Sequence, residues 1–148
     1  MTVESDFEAL LAKREGQSLT VYLDSRGIPT VGIGHRVVPT DRLAVGDAIT
    51  EAECHQLFAV DSAWAMAAAR QQASQAGIAD EAFLPYLASV CFQLGPNWTA
   101  EFPNTWAMIC RREYEAAAQA LGSSAWARQT PVRVADFQGA LRRLGSQS

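Results

Sequence analysis

The sequence predicts an α+β fold, mostly α, and three observations carry that prediction. Apolar residues at helical spacing, with capping signals, recur from residue 5 to 15 and again from residue 50 onward. One stretch between them, Leu19–Gly34, switches to short β-type runs broken by turn residues. The 148 residues are 49% apolar and 19% charged, which suits one domain with a real core and excludes disorder and low-complexity architectures. The expected arrangement is a small N-terminal lobe containing a β-hairpin, a long connecting helix and a helical C-terminal lobe. It forms a single domain over 1–148, with the small lobe at about 15–60 and the helical lobe at about 61–148 plus the N-terminal helix 5–15.

The elements follow in order. Ser5 and Glu8 read as a capping box, Phe7, Leu10 and Leu11 as the apolar stripe behind it, and Gly16 as the stop. LTVYL, a DSRG turn and IPTVGIG then read as two strands, with Pro29 confining the second to an edge or to a strand start. Thr50 and Glu53 form another capping box, opening an Ala-rich helix to about Gln75, before Gly77. Further helices are expected at 80–94, 104–120 and 131–144, each closed by a glycine, the last opened by Thr130-Pro131.

Composition excludes several functions. The longest apolar run, Ala63–Ala69, is too short to span a bilayer, and the N-terminus carries no readable signal peptide. A cytoplasmic protein is expected. Residues 1–110 hold 6 basic and 13 acidic groups, net −7, whereas residues 111–148 hold 6 basic and 3 acidic, net +3. An acidic chain with a mildly basic tail is a poor nucleic-acid binder. Cys54, Cys91 and Cys110 lack metal-ligand spacing and read as small buried apolar residues in a reducing compartment, so neither a metal nor a cofactor is expected.

The chemistry concentrates in REGQSLTVYLDSRGIPTVGIGH, residues 14–35. Glu15 ends the first helix four residues after Leu11, where the helix dipole and partial desolvation would both disfavour an ionised carboxylate. Asp24 opens a polar turn and can stay solvated and ionised. Two carboxylates in contrasting environments suit glycoside hydrolysis, one donating a proton to the leaving oxygen and the other serving water or the cation-like centre. Period two places Thr30, Gly32 and Gly34 on one strand face, a hydroxyl beside a floor without side chains. On spacing alone, a helix end, a turn Asp and two strand glycines are the plainer reading.

This segment resembles the active-site signature of the phage-type lysozymes, the endolysins of glycoside hydrolase family 24. The matching residues are Glu15-Gly16, Tyr22-x-Asp24-x-x-Gly27 and Thr30-Val31-Gly32-Ile33-Gly34-His35. More follow at Thr50–Asp61, at Phe92-Gln93-x-Gly95 and at Trp126-x-x-Gln129-Thr130-Pro131-x-Arg133. The resemblance implies a lysozyme-like fold with the active-site cleft between the lobes. It implies a muramidase that hydrolyses the β-1,4 bond between N-acetylmuramic acid and N-acetylglucosamine of bacterial peptidoglycan, with inversion, and so lyses the host. Glu15 would be the general acid, Asp24 the second carboxylate and Thr30 the hydroxyl that positions water. Gly32, Gly34, Phe92, Gln93 and Thr105 would bind substrate. Arg133 would face Glu15, and His35 would pair with Asp61, whose place on the buried helix face demands a partner. A monomer is expected, reaching the wall through a holin-type pore.

Three departures stand out. The segment between His35 and Thr50 is short, Arg14 is basic where the familiar member has an acid, and the chain is acidic overall. A lytic transglycosylase needs only one Glu, and a non-catalytic wall-binding module needs neither carboxylate. The presence of Glu15, Asp24 and Thr30 together argues against both. The four tryptophans read mainly as core, with Trp126 packed in the helical lobe, and His55 reads as solvated.

Overall fold

The computed structural model describes residues 2–147. Its elements are α1 (Val3–Glu15), β1 (Ser18–Leu23), β2 (Pro29–Gly32), β3 (His35–Arg36), α2 (Glu51–Gln75), α3 (Leu84–Leu94), α4 (Trp98–Glu101), α5 (Pro103–Cys110), α6 (Tyr114–Gly122), α7 (Ala125–Gln129) and α8 (Pro131–Ser146). The α+β, mostly helical class is as the sequence predicts. The chain divides into two compact units, one of Glu8–Ala63 and the other taking in the residues up to Phe7 and those from Trp64 onward.

The smaller unit holds an antiparallel sheet in the order β1-β2-β3. Pro29 is the first residue of β2, where its missing N–H does not interrupt the ladder. β1 pairs Ser18 with Gly32 but Tyr22 with Thr30, so its middle bulges away from β2. That middle pairs on the other side: Thr20 bridges Ala48, Val21 N–H donates to Asp47, and Ile49 N–H donates to Leu19. The buried side chains of this unit include Leu11, Val21, Val31, Ile33, Ile49, Cys54 and Phe58. The capping box at the start of α2 is present, since Thr50 N–H donates to Glu53 and Glu53 N–H donates to Thr50 Oγ1. At α1 the cap is Thr2 rather than Ser5. Thr2 Oγ1 accepts from Ser5 N–H and Ser5 Oγ accepts from Thr2 N–H, so a capping residue three positions earlier wins and Ser5 serves as its partner.

The helical unit centres on α3, α5, α6 and α8, with Trp98 wholly buried and set edge-on to Trp106 and Phe137. Gln72 of α2 satisfies several buried groups at once. Its Oε1 accepts from Trp98 Nε1 at 2.9 Å and Cys91 Sγ at 3.3 Å, and its Nε2 donates to the Pro96 carbonyl. Burial pushes the Cys91 thiol up to about 11. The helix expected over 104–120 is two, because the chain turns at Arg111–Glu113 with Arg112 left-handed at φ 64°. α7 was not expected either; Ser124 caps it by accepting from Ala127 N–H. Cys54 and Cys91 are buried as expected, but Cys110, the last residue of α5, is exposed.

His35 connects the parts of the smaller unit. Its Nδ1 lies 2.6 Å from Asp61 of α2, as the sequence suggested, and its Nε2 lies 2.9 Å from Asp41 in a 3-10 turn (Pro39–Asp41), a partner the sequence did not reveal. Burial alone would push the imidazole down, but the hydrogen bonds to Asp41 and Asp61 and their charges outweigh it and hold His35 above its ordinary value. The Val38 N–H and then the imidazole hold Asp41 below its own. His35 therefore contributes stability that is complete below its unfolded pKa and is lost as pH rises through the folded one. Asp41 contributes above its unfolded pKa and loses that as pH falls through the folded one. His35→Asn should lower the melting temperature by several degrees in mildly acidic buffer, the effect of losing about 1–3 kcal/mol of charge-assisted bonding. The loss should shrink in alkaline buffer, and equal losses at both pH values would refute the pairing.

Candidate active site

Glu15 is fixed by where α1 stops. Gly16 follows at φ 84°, and its N–H donates to the Ala12 carbonyl, closing the helix in the left-handed manner that glycine permits. Leu11, one turn back, is fully buried, whereas Glu15 itself is exposed. The partial desolvation expected of it is not found, because the helix ends before its last turn is covered.

β1 runs from this helix end to Asp24. The carboxylate there is held by its own turn: Oδ1 accepts from Arg26 N–H at 2.8 Å and from Ile28 N–H at 2.9 Å. The Ile28 hydrogen bond first, then that of Arg26 and the nearby guanidinium charges of Arg36 and Arg26, hold Asp24 below its ordinary value. It is ionised at neutral pH, as its place in a polar turn suggested. Oδ2 takes no hydrogen bond among the described residues.

Thr30 lies opposite Tyr22 of β1 and Arg36 of β3, and is only 5% exposed. Its hydroxyl donates to the Ile28 carbonyl at 2.9 Å. Ile28 thus bonds to both side chains, through its N–H to Asp24 and through its C=O to Thr30. With its proton committed, the Thr30 oxygen keeps acceptor capacity, and so does Asp24 Oδ2.

The glycines divide. β2 ends at Gly32, so Gly34 lies in the turn to β3 and does not share a strand face with Thr30. Both are left-handed, at φ 66° and 70°. Space around Gly34 is open, but a Cβ on Gly32 would meet Cys54 Sγ at 3.3 Å. Close packing against α2 is therefore sufficient reason for glycine at 32.

The remaining predicted residues belong to the helical unit. Phe92 stacks on Trp64, with ring centroids 6.3 Å apart and planes at 14°, and meets Phe7 edge-on. Trp64 is 44% exposed and forms the outer plate of this stack rather than core. Gln93 Nε2 donates to Thr130 Oγ1 at 3.1 Å. Thr105 is buried on α5, and Arg133 is half-buried in the first turn of α8. His55, in the smaller unit, is largely exposed but hydrogen-bonded to Glu8. No group of His, Cys, Asp and Glu among the described residues could hold a metal ion.

The Gly32–Cys54 approach can be tested by stability. Gly32→Ala should cost about 1–2 kcal/mol for the left-handed backbone alone, plus whatever Cys54 must yield. Adding Cys54→Ala should recover part of the loss, and strict additivity in thermal or urea unfolding would show that the two do not meet.

A family model described as phage lysozyme matches residues 12–144. The peptidoglycan hydrolase gp36 of Pseudomonas phage phiKMV is 31% identical over 127 residues, covering 86% of this chain and 14% of that protein. The endolysin of Salmonella phage P22 is 38% identical over 65 residues, 43% of this chain and 44% of its own length. A probable T4-type lysozyme 2 of Dictyostelium discoideum is 25% identical over 151 residues, covering 87% of this chain and 89% of that one. The chain thus matches a small part of the phiKMV protein and under half of the P22 one. With the family model spanning most of its length, including Glu15, Asp24 and Thr30, the chain belongs to the phage lysozyme family.

Proposed function

We propose that this chain is a peptidoglycan hydrolase that cuts the β-1,4 bond between N-acetylmuramic acid and N-acetylglucosamine with inversion. The observation that carries the reading is that Asp24 and Thr30 are both hydrogen-bonded to the backbone of one residue, Ile28, the first through its N–H and the second through its C=O. Both present an unused acceptor, an ionised carboxylate oxygen and a hydroxyl oxygen whose proton is already donated. A water that donates one hydrogen to each keeps a lone pair for the anomeric carbon.

The steps balance with this chain's own groups. Glu15, in its protonated form, gives its proton to the glycosidic oxygen as the bond to the anomeric carbon breaks. Water adds to that carbon from the opposite side, and Asp24 takes the proton it releases. Glu15 ends ionised and Asp24 protonated, and exchange with solvent restores both. A retaining route would need Asp24 itself to reach the anomeric carbon. Its carboxylate is short and is tied through Oδ1 to two amides of its own turn, which favours water as the nucleophile.

The family membership and the relatives' names support the substrate class. Gly34, Phe92, Gln93 and Thr105 are proposed to contact the glycan, with Arg133 supporting Glu15. Host lysis after release through a holin-type pore is the biological setting we propose. No helix among the described residues is long and apolar enough to cross a membrane.

Two measurements test the reading. Glu15→Gln should fold normally by circular dichroism yet lose about 10²–10⁴-fold in the clearing of purified cell walls. Near-full clearing by that variant would overturn the assignment, and clearing by neither protein would favour a wall-binding module. NMR of the earliest product, before mutarotation, should show the α-anomer at the new reducing end. A β-anomer or a glycosyl adduct on Asp24 would overturn inversion, and an anhydro sugar would identify a transglycosylase.

A further inference from the structure

Residues 38–45 are fastened in an unusual way. On one side Val37 N–H donates to the Pro29 carbonyl, and on the other Gly46 N–H donates to the Val21 carbonyl. Between these anchors no residue is buried. The backbone hydrogen bonds of this stretch stay local: Asp41 to Val38, Arg42 to Pro39, Val38 N–H to Asp41 Oδ2 and Ala44 N–H to Asp47 Oδ2. Besides the two hydrogen bonds between Ala44 and Asp47 at its end, the stretch is tied to the rest of the unit, among the described residues, by the bond between Asp41 Oδ2 and His35 Nε2. The chain turns sharply within it at Arg42, left-handed at φ 56°, and again at the anchor Gly46, at φ 95°. Asp41 and Leu43 of this stretch line an open hollow of about 370 Å³ together with Ile49, Leu57, Val60 and Asp61.

The chemistry of the tie sets its condition. A neutral imidazole has one N–H and one lone pair, whereas His35 has a carboxylate oxygen at each ring nitrogen. Only the imidazolium donates to both. Asp41 and Asp61 are the charged groups that act on the ring. Glu53, the third carboxylate lining the hollow, accepts the Thr50 N–H, and Arg36 and Arg42 are exposed. When the ring loses a proton to solvent base, the shorter bond to Asp61 keeps the remaining N–H, and the Asp41 carboxylate faces a lone pair.

We propose that residues 38–45 form a flap over this hollow, latched by the His35 imidazolium and released when that ring becomes neutral. Release exposes the apolar walls at Leu43, Ile49 and Leu57 while the sheet stays anchored at Val37 and Gly46. The proposal does not depend on wall hydrolysis.

Trypsin cutting after Arg42 reads the flap directly, normalised at each pH to a free peptide of the same sequence, with His35 protonation followed by ¹⁵N NMR. Wild-type cutting should be slow while both ring nitrogens carry protons and should rise roughly tenfold through the titration. Asp41→Ala should be cut fast throughout. A wild-type rate flat across the titration would overturn the proposal. So would an Asp41→Ala variant as resistant as wild type.

Discussion

A three-stranded sheet whose last strand has two residues cannot hold its own shape, and that constraint governs the smaller unit. The sheet must be fastened to a longer element, and the first turns of α2 provide it. Gly32 lets β2 approach Cys54, Gln17 donates to Cys54 Sγ, and His35 reaches Asp61. Each fastening uses a polar or small residue where a larger sheet would use apolar area. These fastenings add to an apolar core of Val21, Val31, Ile33, Ile49 and Phe58, while the helical unit buries large aromatics such as Phe83, Trp98 and Phe137.

The same economy explains the site. Asp24 and Thr30 lie at the start of the β1–β2 hairpin, where the chain must turn within a few residues. The turn uses the Asp24 side chain as one of its own hydrogen-bond acceptors. One oxygen is spent on structure, and the other takes no hydrogen bond among the described residues. The turn that forms the hairpin therefore also orients the carboxylate.

What the sequence made legible was local. The Thr50–Glu53 box, the Gly16 stop and the placement of Pro29 at a strand start depend on neighbours within a turn, and the structure has all three. The Glu15, Asp24 and Thr30 signature was equally readable, because its spacing is set by one helix end and one hairpin. What could not be read depended on approach through space. Asp41 meets His35 only because a short loop folds back. Arg112 breaks a helix without glycine or proline to announce it. Trp64 occupies an apolar helical position yet caps an aromatic stack from outside. Thr2 displaces Ser5 as a cap since two candidates three positions apart compete, and propensity does not rank them.

The backbone of Ile28 has a consequence for how such a site can change over generations. Its N–H and C=O align Asp24 with Thr30, and neither group belongs to the side chain. The residue at 28 is free to drift among many amino acids while the geometry around it persists. Proline alone is barred by its lack of an N–H. A position that matters to the arrangement would thus look unconstrained to anyone comparing side chains.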